Sequence, residues 1–143
     1  MRLEILSAIN LIVNFVIKAN TGLSKHQSQN LHNTLTDLLY KKYLNHLNPG
    51  NPKKGSGYRC IRINNTMDPI IKKAAKLTAI PLSLIKLSLP PQFTIWIDPK
   101  TVDYRIGENG SIGNLFTYYY GIREWLPEDN TYMKTLYIGE RVR

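Results

Sequence analysis

What stands out first is how little of the usual chemical equipment this sequence carries. Of 143 residues one is cysteine, Cys60, so no internal disulfide can form and an intracellular setting is favoured. His26, His32 and His46 have no metal-like spacing with one another or with Cys60, and each reads as a helix-surface residue. Gly50 to Gly55 followed by Ser56 has the outline of a phosphate loop. It lacks the lysine, no strand precedes it, and a strand rather than a helix follows. Cys60 has no nearby base in sequence and reads as a buried structural thiol. Asp98, Asp103 and Glu108 gather in a hairpin region, where turn chemistry and cross-strand pairing account for them. With no nucleophile, acid–base pair or cofactor loop, an enzyme is not expected.

Long apolar runs are missing too. Met1 to Lys18 has the look of a targeting segment, with Arg2 in front, but Glu4, Asn10 and Asn14 interrupt it. It is too short to cross a bilayer, and no small-residue cleavage pattern follows. Leu3, Leu6, Ile9, Val13, Val16 and Ile17 fit helical spacing, so the segment is expected to be a core helix, with no membrane partner.

Acidic residues are scarce in one particular place. The net charge is +9, and residues 41–64 hold Lys41, Lys42, Lys53, Lys54, Arg59 and Arg62 without a single acid. Such a segment suits nucleic acid or an acidic protein; equally, it can be a solvated face.

What is present is the patterning of one α+β domain. Ser24 to Gln27 has capping-box spacing, and Leu31, Leu35, Leu38, Leu39 and Tyr43 continue at helical intervals, predicting a second helix from Ser24 to His46. The short link from Ala19 to Leu23 predicts that the two helices pack antiparallel. Asn48 to Gly57 is a loop. Asp68 and Pro69 open a third helix, with Ile70, Ile71, Ala74, Ala75 and Leu77 as its buried side. Pro81 opens a short fourth that Pro90 and Pro91 end. Strands are expected over 58–64, 93–97, 102–106 and 112–118, with turns at Asp98–Thr101 and Glu108–Gly110. The expected architecture is an antiparallel N-terminal helix pair and further short helices on a small, mainly antiparallel sheet. The two glycosylation-type triplets, at Asn64 and Asn109, read as turns.

Alternation picks out the candidate site. If Ile61 and Ile63 face the core, Tyr58, Cys60 and Arg62 face away. Phe93, Ile95 and Ile97 likewise share one face, leaving Thr94, Trp96 and Asp98 on the other. A second covering helix would make Trp96 structural; two outward aromatics on neighbouring strands favour an interface.

Gly55-Ser56-Gly57-Tyr58-Arg59-Cys60-Ile61-Arg62-Ile63-Asn64 with Met67-Asp68-Pro69-Ile70 resembles the first signature of the BTG/Tob antiproliferative (APRO) family. Leu89-Pro90, Trp96-Ile97-Asp98-Pro99, Val102, and Tyr104 to Glu108 with Gly110-Ser111-Ile112 resemble the second. The opening Met1 to Ile5, Leu23-Ser24 and the leucines of the second helix fit as well. The likeness is nearer to the BTG branch than to Tob.

That resemblance implies a non-catalytic adaptor without cofactor. It would bind the DEDD-type deadenylase subunit of the CCR–NOT complex, promote mRNA deadenylation and restrain proliferation, in cytoplasm and nucleus. The family's contact tyrosine and tryptophan carry over to Tyr58 and Trp96, with Asp98, Pro99 and His46 beside them. The chain departs from the family in following His46 with Leu47 and in the segment Asn48-Pro49-Gly50-Asn51. The resemblance implies a domain over residues 1–116. Residues 117–143 form an aromatic-rich extension, either packed on the sheet or a docking tail. No poly(A)-binding-protein peptide of the Tob kind is recognisable there, which leaves contact with that protein or other RNA-binding proteins open. The second reading of the chain is a regulatory module that self-assembles or binds RNA through Lys41, Lys42, Lys53, Lys54, Arg59 and Arg62, with Lys72, Lys73 and Lys76 as a candidate extension of that segment.

Overall fold

A computed structural model of the chain describes residues 2–19, 21–44, 59–119 and 122–123. Two helices come first, α1 (Arg2–Lys18) and α2 (Lys25–Tyr43). Ser24 caps α2 as its spacing predicts. Its hydroxyl accepts from the Gln27 amide at 3.1 Å, and the Gln27 side chain accepts from the Ser24 amide at 2.8 Å. The helices run antiparallel: Arg2 and Ile5 line a cleft with Asp37 and Tyr40, whereas Val16 lines another with Ser28.

On α1 the buried stripe differs from the expected one. Ile5, Ala8, Ile9, Ile12, Val13 and Val16 are buried, Leu3 and Leu6 only partly, and Ile17 is exposed. The reason is tertiary. Helix α1 is sandwiched between α2 on one side and the sheet on the other, so it needs two apolar faces. On α2 the periodicity predicts the core directly, with Leu31, Leu35, Leu39 and Tyr43 buried.

Five antiparallel strands follow the order β1 (Cys60–Asn64), β2 (Gln92–Asp98), β3 (Thr101–Ile106), β4 (Ile112–Tyr119) and β5 (Ile122–Arg123). Between β1 and β2 lie α3 (Pro69–Thr78) and α4 (Leu82–Ser88). Asp68 joins α3 to β1. One carboxylate oxygen accepts from the Ile70 amide at 2.8 Å as a helix cap, and the other from the Arg62 amide at 3.0 Å. Helix α3 buries Ile71, Ala74 and Ala75 on the side that meets α2. Leu77, expected on that side, is exposed, because the short helix covers a narrow arc of α2.

Ile61, Ile63, Phe93, Ile95, Ile97, Val102 and Phe116 form the inner face of the sheet and share one core with α1, which packs on β2, β3 and β4 and whose Phe15 meets Phe93 edge-on at 5.5 Å. A bulge between Val102 and Asp103 breaks the alternation of β4, so that adjacent Leu115 and Phe116 are both buried. The β2–β3 hairpin turns on Pro99 and Lys100, the latter at φ 71°, and the Lys100 amide donates to Glu4 of α1 at 3.1 Å. Gly107 takes φ 82° in the β3–β4 turn, and a side chain on Gly110 would collide with the Ile106 carbonyl.

Candidate functional site

Every described helix that packs on the sheet does so on the inner face, chiefly through α1. The outer face is built from the alternate residues. Cross-strand pairing sets Cys60, Trp96, Asp103 and Asn114 in one row and Arg62, Thr94, Arg105 and Ile112 in the next. Asp98 pairs with Thr101 at the hairpin end.

Trp96 lies in the middle of this face, half-buried. The guanidinium of Arg105 sits 5.4 Å from its ring centroid, a cation–π arrangement that limits the ring's rotation. Arg105 is held in turn by Glu108 at 3.1 Å, and the second oxygen of Glu108 binds Arg62 at 2.9 Å. The residue read from sequence as turn chemistry therefore clamps two arginines of the face. Asp103 accepts from the Asn114 amide at 2.8 Å.

Asp98 is fixed from below. Arg59 is fully buried; its Nε donates to the Ile97 carbonyl and a terminal nitrogen to Asp98 Oδ1, both at 3.0 Å. The Asp98 side chain stays 26% exposed, so one carboxylate spans core and surface. Charge-assisted bonds to a buried guanidinium hold that carboxylate in one orientation. Tyr43 of α2 is also fully buried, and burial, then the Asp68 carboxylate, hold its phenol well above the usual tyrosine range.

Several expected site residues fall elsewhere. Arg59 is not a surface cation. It shares parity with Ile61 and Ile63, so the alternation that turned those two inward turns Arg59 inward as well. Arg62 is paired with Glu108, and Lys41 with Asp37 at 3.0 Å, while Lys42 lies 5.9 Å from the Tyr43 ring centroid. Pro99 is buried in the hairpin turn and offers little surface to a partner. Tyr58, His46, Lys53 and Lys54, like the 48–57 loop, lie outside the described residues.

Cys60 is half-buried opposite Trp96, less enclosed than expected; burial raises its pKa, with Asp68 adding to the effect, and so keeps the thiol protonated. His32 is not a plain surface residue either. It sits half-buried between α1 and α2, its Nε2 2.9 Å from Asn10 Oδ1, and burial lowers its pKa against the opposing effect of Asn33. Among the described residues no group of three or more His, Cys, Asp and Glu could hold a metal ion, and no helix is long and apolar enough to cross a membrane.

A helix-backed antiparallel sheet with one polar, aromatic-centred face is an α+β scaffold of the kind that presents a binding surface. The family model described as the BTG family matches residues 1–116, and the chain belongs to that family. Human Protein BTG1 is 42% identical over 113 residues, which is 79% of this chain and 66% of that protein. Rat Protein BTG2 is 40% identical over 79% of this chain and 71% of its own length. Human Protein Tob2 is more distant, at 35% over 81% of this chain and 33% of that protein. The C. elegans FOG-3 BTG/Tob domain superposes with a TM-score of 0.72 at 20% identity, covering 82% of this chain and 91% of the other, a likeness of fold.

Proposed function

We propose that this chain is a non-catalytic adaptor that binds the DEDD-type deadenylase subunit of the CCR–NOT complex through the outer face of its sheet. In doing so it would promote mRNA deadenylation and restrain proliferation, acting in cytoplasm and nucleus. The observation that carries the reading is the pairing of a half-buried, arginine-braced Trp96 with a carboxylate, Asp98, locked by a buried arginine. An aromatic anchor beside a fixed charge, both on rigid strands, is what an interface hot spot requires, because little ordering remains to be done on binding. The partner is the one that the resemblance to the BTG/Tob family implies. Tyr58 is the second anchor in this proposal, and His46 lies at its rim.

The test is calorimetric titration of the chain into the purified deadenylase subunit. Truncation of one such anchor typically costs about 2 kcal/mol or more, so Trp96→Ala is expected to weaken binding at least roughly 30-fold. Unaltered affinity for a folded Trp96→Ala variant would move the interface elsewhere. A folded wild type that does not bind at all would remove the deadenylase from the account.

A further inference from the structure

From Pro69 to Ile97 the chain carries Lys72, Lys73, Lys76 and Lys86 and no acid. All four side chains are exposed, and none forms an ion pair among the described residues. They differ in this from the basic residues of the 41–64 segment, which are paired, buried or outside the described residues. On α3 the lysines work against their own helix. Lys72 and Lys76 stand four residues apart and Lys73 and Lys76 three apart, so like charges face one another on adjacent turns. Lys72 also lies close to the positive end of the helix dipole. An anionic partner would relieve both penalties at once.

We infer that the exposed lysine face of α3, with Lys86 of α4, binds the sugar-phosphate backbone of single-stranded RNA. The face bears no aromatic side chain on which a base could stack and no arginine fork to read a base edge. Contacts are therefore to phosphates, which carry no sequence information. A protein partner fits less well. The apolar residues Ile71, Ala74 and Ala75 turn inward, and Leu77 and Leu87 are single exposed leucines at the ends of separate helices. The inference does not rest on the deadenylase reading, since helix and sheet surfaces are separate and the test needs this chain alone.

The experiment is fluorescence anisotropy of the full chain with two labelled 20-nucleotide RNAs, poly(A) and a mixed sequence, between 50 and 200 mM salt. Four phosphate contacts on a single strand give a log–log salt slope of roughly −3, hence a loss of about 50-fold over that range. The two RNAs are expected to bind alike. Lys72→Glu/Lys73→Glu/Lys76→Glu is expected to abolish binding while keeping a cooperative thermal transition. The Lys→Gln triple is expected to cut binding at least tenfold with a transition no lower than the wild type's, since it removes the like-charge contacts. Polyglutamate and phosphatidylserine vesicles serve as competing polyanions. No RNA binding at 50 mM salt, binding that survives both triple variants, strong preference for one RNA, or tighter binding to polyglutamate or vesicles would each overturn the assignment.

Discussion

The two faces of one sheet are made from the same strands and held together in opposite ways. On the inner face Ile61, Phe93, Ile95, Ile97 and Val102 are shut into the core with almost no exposure. On the outer face Thr94 is buried, but Trp96, Asp103, Arg105 and Asn114 are partly or fully exposed and fixed by ion pairs, a side-chain hydrogen bond and a cation–π contact. The inner face stabilises the domain by removing apolar area from water. The outer face gains little stability from its exposed pairs, which typically contribute no more than about 1 kcal/mol each, but it holds side chains in defined positions. Order without burial is what a binding surface needs.

The sharpest way to break the comparison is to truncate one aromatic side chain on each face. Phe93→Ala on the inner face is expected to cost about 3–5 kcal/mol, read by denaturant unfolding, because it opens a cavity against Phe15. An equal cost for Trp96→Ala would mean the outer face is core after all. Asp98→Ala comes next. It should lose about 1.5–3 kcal/mol despite its partly exposed position, since its charge-assisted bond to the buried Arg59 is removed. A loss under about 1 kcal/mol would show that this bond contributes little to the fold.

A smaller effect concerns His32, packed between α1 and α2. Its pKa is lowered in the folded state, so the unfolded chain binds the extra proton first as pH falls. Stability is then full above the ordinary value of 6.5 and declines as pH drops through the lowered folded value. Thermal melts across pH 7 to 5 should show this decline, and His32→Gln should flatten it. The smallest effect is a gain. Ala79 ends α3 at φ 56°, in the left-handed region that glycine tolerates best. Ala79→Gly is expected to raise stability by about 0.5–1 kcal/mol, measured by urea unfolding.

The fold was legible in the sequence wherever one local signal was enough. Ser24 with Gln27, Asp68 with Pro69, and the alternation of Ile61 with Ile63 each mark an element that the structure contains. The buried stripe of α1 was harder to read, because contact on two sides hides a single periodicity. The bulge at Leu115 was not readable, since it arises from pairing with β3. At the site, Trp96 and Asp98 were found by parity. The same parity placed Arg59 inside, but its charge drew it into a basic surface segment. The clamp of Glu108 reaches Arg105 three positions away by a local contact, but Arg62 lies 46 positions away, and only the assembled sheet brings that pair together.

The most direct measurement is the indole N–H spectrum of the chain during titration with unlabelled deadenylase subunit. The sequence holds two tryptophans, Trp96 and Trp125, so two signals are expected, and Trp96→Phe assigns them. Movement or broadening of the Trp96 signal as the complex forms is the predicted result. A complex that forms while the Trp96 signal stays in place would contradict the claim that the outer face of the sheet is the interface.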